Sequence, residues 1–355
     1  MVDLKNYICT VPFEAIEIHD DKVFMCCASW LKKELPNNTP IDKNLWNSEE
    51  AVEIRKSVTD GSYKYCDKIQ CPFLSQLVNL SPFNVGPIKH IDNVSPHIKE
   101  YLNGNKTNVE KGPRIVQLSF DRTCNYKCPS CRVDMIVADS NTIKRINSTI
   151  EEIENSYSST IEMIYCSGTA DPFASVSYRN YLRNFDPKKY PNLKLIHLHT
   201  NASLWNKEMW DSMPNIHKYV QSCEISIDAG TQYTYENVTR LGGNWDNLIN
   251  NLKFIATINS LKYVKCSFVV QHSNYMEMQT FLNLMYSIFG IKTKVFFGRI
   301  TNWGTFTDER FKLIDVVNSS HPEHKLFLNE LTKVITNPYA FHNMYELIEI
   351  KKSLI

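Results

Sequence analysis

The stretch that decides the fold is Cys124-Asn125-Tyr126-Lys127-Cys128-Pro129-Ser130-Cys131, which follows the apolar run Ile115 to Phe120. Its three cysteines are separated by three and then two residues, so three thiols share one short loop after a predicted strand. A [4Fe–4S] cluster normally takes four Cys thiolates, so three leave one iron open to a ligand that is not protein. A zinc site is the alternative, although structural zinc prefers four ligands in paired Cys-x2-Cys units.

The composition is that of a globular chain with almost no excess charge. The 355 residues predict two domains, and a formal net charge of +1 gives no electrostatic basis for binding nucleic acid or an anionic membrane. No apolar run approaches the roughly 20 residues of a membrane span, and Met1 to Lys5 lack a signal-peptide pattern. We therefore expect a cytoplasmic protein without nucleic-acid or membrane partners.

Cysteine usage points to metal. The cytosol keeps thiols reduced, so clustered cysteines there usually bind metal or do catalysis. Besides the central loop, the chain carries an N-terminal group, namely Cys9, Cys26, Cys27, Cys66 and Cys71. A hairpin turning at Asp20-Asp21 would bring Cys9 near Cys26, and a helix from Ser48 to about Gly61 would lead back to the last two. Four thiolates could then hold a second cluster with no open iron, a structural zinc site being the alternative.

From Arg114 onward the pattern alternates between strands and helices. The predicted strands lie near 115–120, 161–166, 193–199, 220–227, 263–270 and 293–300, and the clearest helices are Thr142 to Tyr157, Trp245 to Ile258 and Tyr275 to Phe289. Such alternation predicts βαβ units and a parallel sheet, with ligands at the carboxyl ends of the strands. Cys166, Cys223 and Cys266 fall inside predicted strands, where a free Cys is usually a core residue.

The cysteine spacing, the preceding strand and the six strand–helix repeats together resemble the radical S-adenosylmethionine (SAM) superfamily. The resemblance implies a partial (β/α)6 barrel over residues 112–300 and a [4Fe–4S] cluster on Cys124, Cys128 and Cys131. In that family the open iron chelates the amino and carboxylate groups of SAM, and the reduced cluster splits SAM into methionine and a 5′-deoxyadenosyl radical. An electron donor such as flavodoxin or ferredoxin is also implied. Ser130 stands where the family often has an aromatic residue, so the adenine contact is unassigned.

Three further segments match SAM-binding motifs of that family, each after a predicted strand, and a cation follows further on. Ser167-Gly168-Thr169 with Asp171-Pro172 stands where the family has Gly-Gly-Glu-Pro. Thr200-Asn201 and the pair Ser226 and Asp228 match its Thr-Asn and Ser-x-Asp patterns. Arg240, followed by Leu241-Gly242-Gly243, offers a cation for the SAM carboxylate. The alternative for Arg240 is a cation at a helix C-terminus before a glycine cap.

The N-terminal stretch resembles auxiliary-cluster domains of the SPASM and twitch type. The likeness rests on Cys9 to Phe13, Cys26-Cys27, Leu45 to Ser48, Ile54-Arg55, Gly61, Cys66 and Cys71-Pro72. It implies a small α+β domain over residues 1–76 with one auxiliary [4Fe–4S] cluster on Cys9, Cys26, Cys66 and Cys71. Neighbours on a strand point to opposite faces, which leaves Cys26 or Cys27 as the ligand, with Cys26 favoured. Residues 77–111 are expected to be a linker and 301–355 a C-terminal extension.

The resemblance implies a radical SAM enzyme but does not name its substrate. One possibility is an oxidoreductase, a dehydrogenase acting on a sugar-like small molecule with the auxiliary cluster as electron acceptor. A second is modification of a ribosomal peptide. A third is a non-catalytic iron–sulfur electron-transfer protein, which would not need the motifs at Ser167, Thr200 and Ser226. The small molecule is favoured.

Overall fold

The computed structural model describes residues 4–36, 40–68, 70–75, 86–104, 108–344 and 347. By contacts the chain divides into two units. The first unit comprises Met1–Asp121, Asp139–Thr169 and Asp186–Leu195, and the second comprises Arg122–Ala138, Ala170–Phe185 and Ile196–Ile355. Parts of the expected linker and C-terminal extension lie outside the described residues.

The strands alternate with helices over most of the chain. In chain order the strands are β1 Tyr7–Cys9, β2 Ala15–His19, β3 Lys22–Phe24, β4 Ile88–His90, β5 Ile115–Ser119, β6 Met163–Cys166, β7 Leu195–Thr200, β8 Val220–Ser226, β9 Tyr263–Val270, β10 Thr293–Arg299 and β11 Ala340–His342. The helices are α1 Lys43–Trp46, α2 Glu49–Thr59, α3 Pro96–Asn103, α4 Ser140–Tyr157, α5 Val176–Arg183, α6 Lys207–Asp211, α7 Gln232–Thr234, α8 Trp245–Ala256, α9 Met278–Phe289, α10 Asp308–Ile314 and α11 His324–Ile335.

The first unit combines part of the parallel sheet with an N-terminal hairpin. Strands β5 and β6 are parallel, and β2 adds to the other side of β5, also parallel. Strand β3 pairs antiparallel with β2, so that Glu17 lies opposite Phe24. Asp20 takes the left-handed conformation that the tight turn requires (φ 56°). The hairpin predicted from the Asp20-Asp21 pair is therefore present, and it extends the same sheet as β5.

The second unit holds a parallel sheet in the order β7-β8-β9-β10-β11. Its strands alternate in burial because one face packs against helices. Ile196, Leu198, Val264 and Phe268 are fully buried, and the ring of Phe268 meets that of Phe281 on α9 at 5.0 Å. The six strands β5 to β10 fall where the apolar runs predict them, each followed by helix. The predicted fold class, an α/β protein with a parallel sheet and helices, is confirmed, and these elements are consistent with the predicted partial (β/α)6 barrel.

The segment predicted as a linker, residues 77–111, contains regular structure in its described part. Strand β4 pairs antiparallel with β1, placing Cys9 opposite Ile88. Helix α3 follows, and Tyr101 on it meets Phe13 edge to face at 5.0 Å. Its sequence shows no sustained period because the strand has three residues and the helix buries only Ile98.

Residues behind the N-terminal resemblance form one buried structural centre around Arg55. Its guanidinium is 0% exposed and donates to the carbonyl oxygens of Pro12 (2.9 Å) and Trp46 (2.8 Å). It also donates to Asn47 Oδ1 (3.2 Å) and lies over the Trp46 ring at 4.5 Å. Asn47 Oδ1 in turn accepts from Val109 N (2.8 Å). Arg55 thus joins the segments around Pro12, Trp46 and Val109 by donating to buried acceptors.

Arg55→Met should destabilise the protein by about 3 kcal/mol, because it leaves buried acceptors without a donor. Urea unfolding followed by circular dichroism measures this change. Arg310→Met, on the exposed side of α10, is the matched control and should change stability by less than about 0.5 kcal/mol. Equal stabilities for the two variants would contradict the structural role.

In the part of the chain that the structure describes, no helix has both the length and the apolar character to span a membrane.

Candidate functional site

The cysteine loop after β5 belongs to the second unit and is held in a defined turn by its own backbone. The amides of Cys131 and Arg132 both donate to the carbonyl of Cys128, at 2.9 and 3.0 Å. The amide of Cys124 donates to Ile136 O at 3.2 Å. Cys128 is buried and Cys131 is exposed, so the loop runs from the interior of the unit to its surface.

Each thiol of this loop has a nitrogen donor near its sulfur. Arg240 Nη1 lies 3.5 Å from Cys128 Sγ, Asn201 Nδ2 lies 3.8 Å from Cys124 Sγ, and Arg132 Nη2 lies 3.6 Å from Cys131 Sγ. Hydrogen bonds to thiolate sulfurs stabilise iron–sulfur clusters and set their potentials. Three thiols that each face a donor, two of them cationic, are a donor set that fits a three-thiolate cluster.

The same thiols are not arranged around a single metal ion. Over the described ranges, no three His, Cys, Asp or Glu side chains converge as ligands of one ion. Zinc binds thiolates at about 2.3 Å, which brings the sulfurs within roughly 4 Å of one another. A cubane cluster holds its thiolate sulfurs farther apart than a single ion does. The absence of a single-ion site among these thiols therefore does not bear on a cluster.

Asp171 organises the loops after β6 and β7. Its carboxylate accepts from Thr200 Oγ1 (2.6 Å) and from the amides of Asn201 (2.8 Å) and Phe173 (2.9 Å). Its own amide donates to Thr123 O at 3.0 Å, just before the cysteine loop. Burial raises the pKa of Asp171, and these donors counteract the rise. The carboxylate predicted to bind SAM thus holds Thr200 and Asn201 in place.

Asp171→Asn should destabilise the protein by about 2 kcal/mol. The substitution replaces one accepting carboxylate oxygen by a side-chain NH2 group, which cannot accept from the donors around it. Urea unfolding measures this loss. Asp211→Asn is the control, since Asp211 is exposed and pairs with Lys207 across one helical turn. An Asp171→Asn protein as stable as the control would show that these hydrogen bonds do not organise the loops.

Arg240 connects the loop after β8 with the cysteine loop. Its guanidinium lies 2.7 Å from Asp228 Oδ2 and donates to Ile227 O at 3.3 Å, besides facing Cys128. Burial alone would lower the pKa of Arg240, but Asp228 and the Cys128 thiol raise it. Arg240 follows a π-helical turn, Tyr235–Thr239. It is a buried, paired cation beside a predicted cluster ligand, and it also stands at the C-terminal end of that helical turn, before Gly242.

The backbone is strained directly after three successive strands. Ser167 follows β6 with φ 77°, Ala202 follows β7 with φ 61°, and Asp228 follows β8 with φ 62°. Residues other than glycine rarely take this left-handed conformation, and where they do they cluster at functional sites. All three lie at carboxyl ends of strands, where parallel α/β folds bind ligands.

Ser167, Gly168 and Thr169 lie in the first unit. Thr169 Oγ1 donates to Ser119 O (3.1 Å) and Asp121 O (3.0 Å). A Cβ on Gly168 would stand 2.8 Å from Ser119 Oγ, which explains the need for glycine at this close approach. The contacts fix the loop to β5. Binding of SAM by this segment remains a prediction.

Several residues of the site were not singled out from the sequence. His199 Nε2 meets Ser226 Oγ at 3.0 Å, and Asn125 is bonded to both Asn201 and Ser203. Arg132, which donates to Cys131, could have been noticed from its position immediately after the third cysteine. His199 could have been found from the alternation of the strand Leu195–Thr200, because it is a polar residue on the face opposite the buried Ile196 and Leu198.

The N-terminal cysteines come together within the first unit. Burial raises the pKa of all five thiols, and the pKa of Cys66 rises to about 12. The five are Cys9, Cys26, Cys27, Cys66 and Cys71. The Cys71 thiol raises the pKa of each of the other four further. The Cys9 thiol raises the pKa of Cys26, whereas the carboxylate of Glu17 raises the pKa of Cys27. These thiols therefore lie within electrostatic reach of one another. Among the described residues, however, no three of them converge as ligands of a single metal ion.

No protein-family model matches the chain, and no curated protein matches it in sequence. Among solved structures it is similar to SuiB of Streptococcus suis, crystallised with the precursor peptide SuiA. The TM-score is 0.43 at 12% identity, over 82% of this chain and 62% of that one. It is also similar to TYW1 with a lysine–pyruvate adduct bound, with TM-score 0.31 at 14% identity, over 48% of this chain and 60% of that one. The chain thus spans less than two thirds of either structure.

Proposed function

We propose that this chain is a radical SAM enzyme. The observation that carries the proposal is the set of side chains around the cysteine loop. Donors from three places in the second unit, Arg240, Asn201 and Arg132, each face one of its three thiols. Cys124, Cys128 and Cys131 would hold the cluster, which when bound supplies the electron that opens SAM to a 5′-deoxyadenosyl radical.

The protein's own residues would fix SAM beside that loop. Thr200 and Asn201, held by Asp171, lie at the end of β7, and Ser226 and Asp228 lie at the end of β8. Arg240 supplies a buried positive charge for the carboxylate of SAM. Tyr126 of the cysteine loop is buried, and its hydroxyl meets that of the buried Tyr235 at 3.0 Å.

Cys9, Cys26, Cys66 and Cys71 are proposed to hold an auxiliary [4Fe–4S] cluster. The electrostatic interaction of Cys26 with Cys9 supports Cys26 as the ligand, because the charge that acts most strongly on Cys27 is the carboxylate of Glu17. An auxiliary cluster would supply an electron acceptor. Hydrogen abstraction from an alcohol carbon leaves a carbon radical, which becomes a carbonyl by losing one electron to that acceptor and one proton to a base.

The finer function proposed is therefore oxidation of an alcohol on a sugar-like small molecule, with flavodoxin or ferredoxin as the electron donor. Modification of a ribosomal peptide and electron transfer without catalysis are the competing functions. The decisive experiment is anaerobic incubation of reconstituted, dithionite-reduced protein with SAM, followed by mass spectrometry. We expect 5′-deoxyadenosine to form. No 5′-deoxyadenosine above a cluster-free control would overturn the proposal.

A further inference from the structure

Strands β7, β8 and β9 carry a row of polar side chains on the face opposite their helix-packed side. The residues of this polar face are His197, His199, Ser222, Glu224, Ser226, Lys265 and Ser267. The register places them side by side: His199 is aligned with Glu224, and Glu224 with Lys265. The polar face is therefore continuous across three central strands and lies within the second unit.

The polar face is accessible although it lies in the middle of a sheet. Glu224 and Lys265 retain 18% and 22% of their side-chain exposure. Their neighbours along the strands, Cys223, Ile225 and Cys266, are 0% exposed. Central strands with one face fully packed and the other polar and partly exposed can present that polar face to a ligand.

The groups on this face are joined by hydrogen bonds and carry no net charge. Lys265 Nζ lies 2.9 Å from Glu224 Oε2, and Ser267 donates to Glu224 Oε1. His197 Nδ1 meets Ser222 Oγ at 2.8 Å. Burial lowers the pKa of His197 to about 4 and also lowers that of His199, so both rings are neutral at pH 7. One carboxylate and one ammonium remain, and they pair with each other.

An aromatic edge adjoins the polar face. Lys265 Nζ lies 4.4 Å from the centre of the Phe296 ring, and Phe296 lies beside Phe341 of β11 with ring centres 5.0 Å apart. Hydroxyl groups both donate and accept, so they suit alternating imidazole, hydroxyl, carboxylate and ammonium partners. A charged ligand would instead bring an uncompensated charge into a half-buried place. A flat aromatic edge suits the C–H face of a ring.

We propose that the polar face is the substrate site and that its substrate is a neutral, hydroxyl-rich ring molecule such as a monosaccharide or cyclitol. The proposal rests on the radical SAM function and narrows its substrate class. Ser226, bonded to His199, joins the polar face to the residues proposed for SAM. Glu224 and Lys265 bind substrate hydroxyls, and His199 lies beside Glu224 on the neighbouring strand.

The test measures 5′-deoxyadenosine formation by the holoenzyme with a panel of compounds. The panel contains neutral monosaccharides and cyclitols, their phosphorylated counterparts, and short peptides. Thermal shift of the same protein reports binding independently of turnover. We expect a neutral member to raise the rate over the reaction without substrate and to raise the melting temperature. Response to phosphorylated compounds or peptides alone, or to no neutral member, overturns the substrate class, while 5′-deoxyadenosine formed without substrate preserves the radical SAM function.

A variant pair tests the residues. The double variant Glu224→Gln/Lys265→Gln keeps the net charge of the pair at zero. It should raise the concentration of the responding compound that gives half-maximal rate by about tenfold or more, because the substrate loses a hydrogen bond to a charged group. Lys207→Gln/Asp211→Asn removes an exposed ion pair of the same unit and should leave that concentration unchanged. The same concentration in both variants overturns the assignment of the polar face.

Discussion

Replacing Cys128 by alanine is expected to abolish 5′-deoxyadenosine formation, down to the level of protein without a cluster. Cys128 is the central thiol of the loop, buried and faced by Arg240 at 3.5 Å. Two thiolates of a three-thiolate site do not retain a cubane. The measurement is anaerobic reconstitution, iron analysis and mass spectrometry of the SAM products in one preparation.

Cys223→Ala is the matched control for this variant. Cys223 is a fully buried thiol within β8, and it lies on the face that packs against helices. Its loss should cost about 1 kcal/mol of stability as a small cavity, with iron content and SAM cleavage retained. Cleavage by Cys128→Ala at the rate of the control would contradict the assignment of the loop as the cluster site.

Replacing Cys66 by alanine is expected to separate hydrogen abstraction from product formation. The wild type should hold about eight irons in two [4Fe–4S] clusters, and Cys66→Ala about four. SAM should still be cleaved and deuterium still transferred from substrate to 5′-deoxyadenosine. Oxidised product should fall to a small fraction, because the substrate radical lacks the acceptor that takes its last electron.

Cys27→Ala is the control here, since Cys27 is the neighbour of Cys26 in sequence and the carboxylate of Glu17 is the charge that acts most strongly on it. It should retain eight irons and full product yield if Cys26 is the ligand. Full product yield from soluble Cys66→Ala protein with four irons would rule out electron acceptance by the auxiliary cluster. Loss of folding in place of the second cluster would instead indicate a structural metal, whose binding free energy is then part of the folding free energy.

The sequence by itself determined the order and type of the main elements. Six apolar runs correctly predict β5 to β10, because burial on one or both faces of a strand leaves a local signal. Helix starts were also readable where a capping residue is local. Ser48 caps α2 through Ala51 N, and the turn at Asp20 follows from residues that tolerate positive φ. The spacing of Cys124, Cys128 and Cys131 predicts a three-thiol loop, since loop ligands are close in sequence.

Only the tertiary structure decided which side chains surround those thiols. Arg240 lies 112 residues from Cys128, and Asn201 lies 77 residues from Cys124. No local pattern encodes such pairs, because they depend on which strand ends become neighbours after the sheet forms. The same reason explains the addition of β2 to β5 and the pairing of β4 with β1 in a segment predicted as a linker. It also explains Asp171, whose role as a buried acceptor arises from donors on the loop after β7.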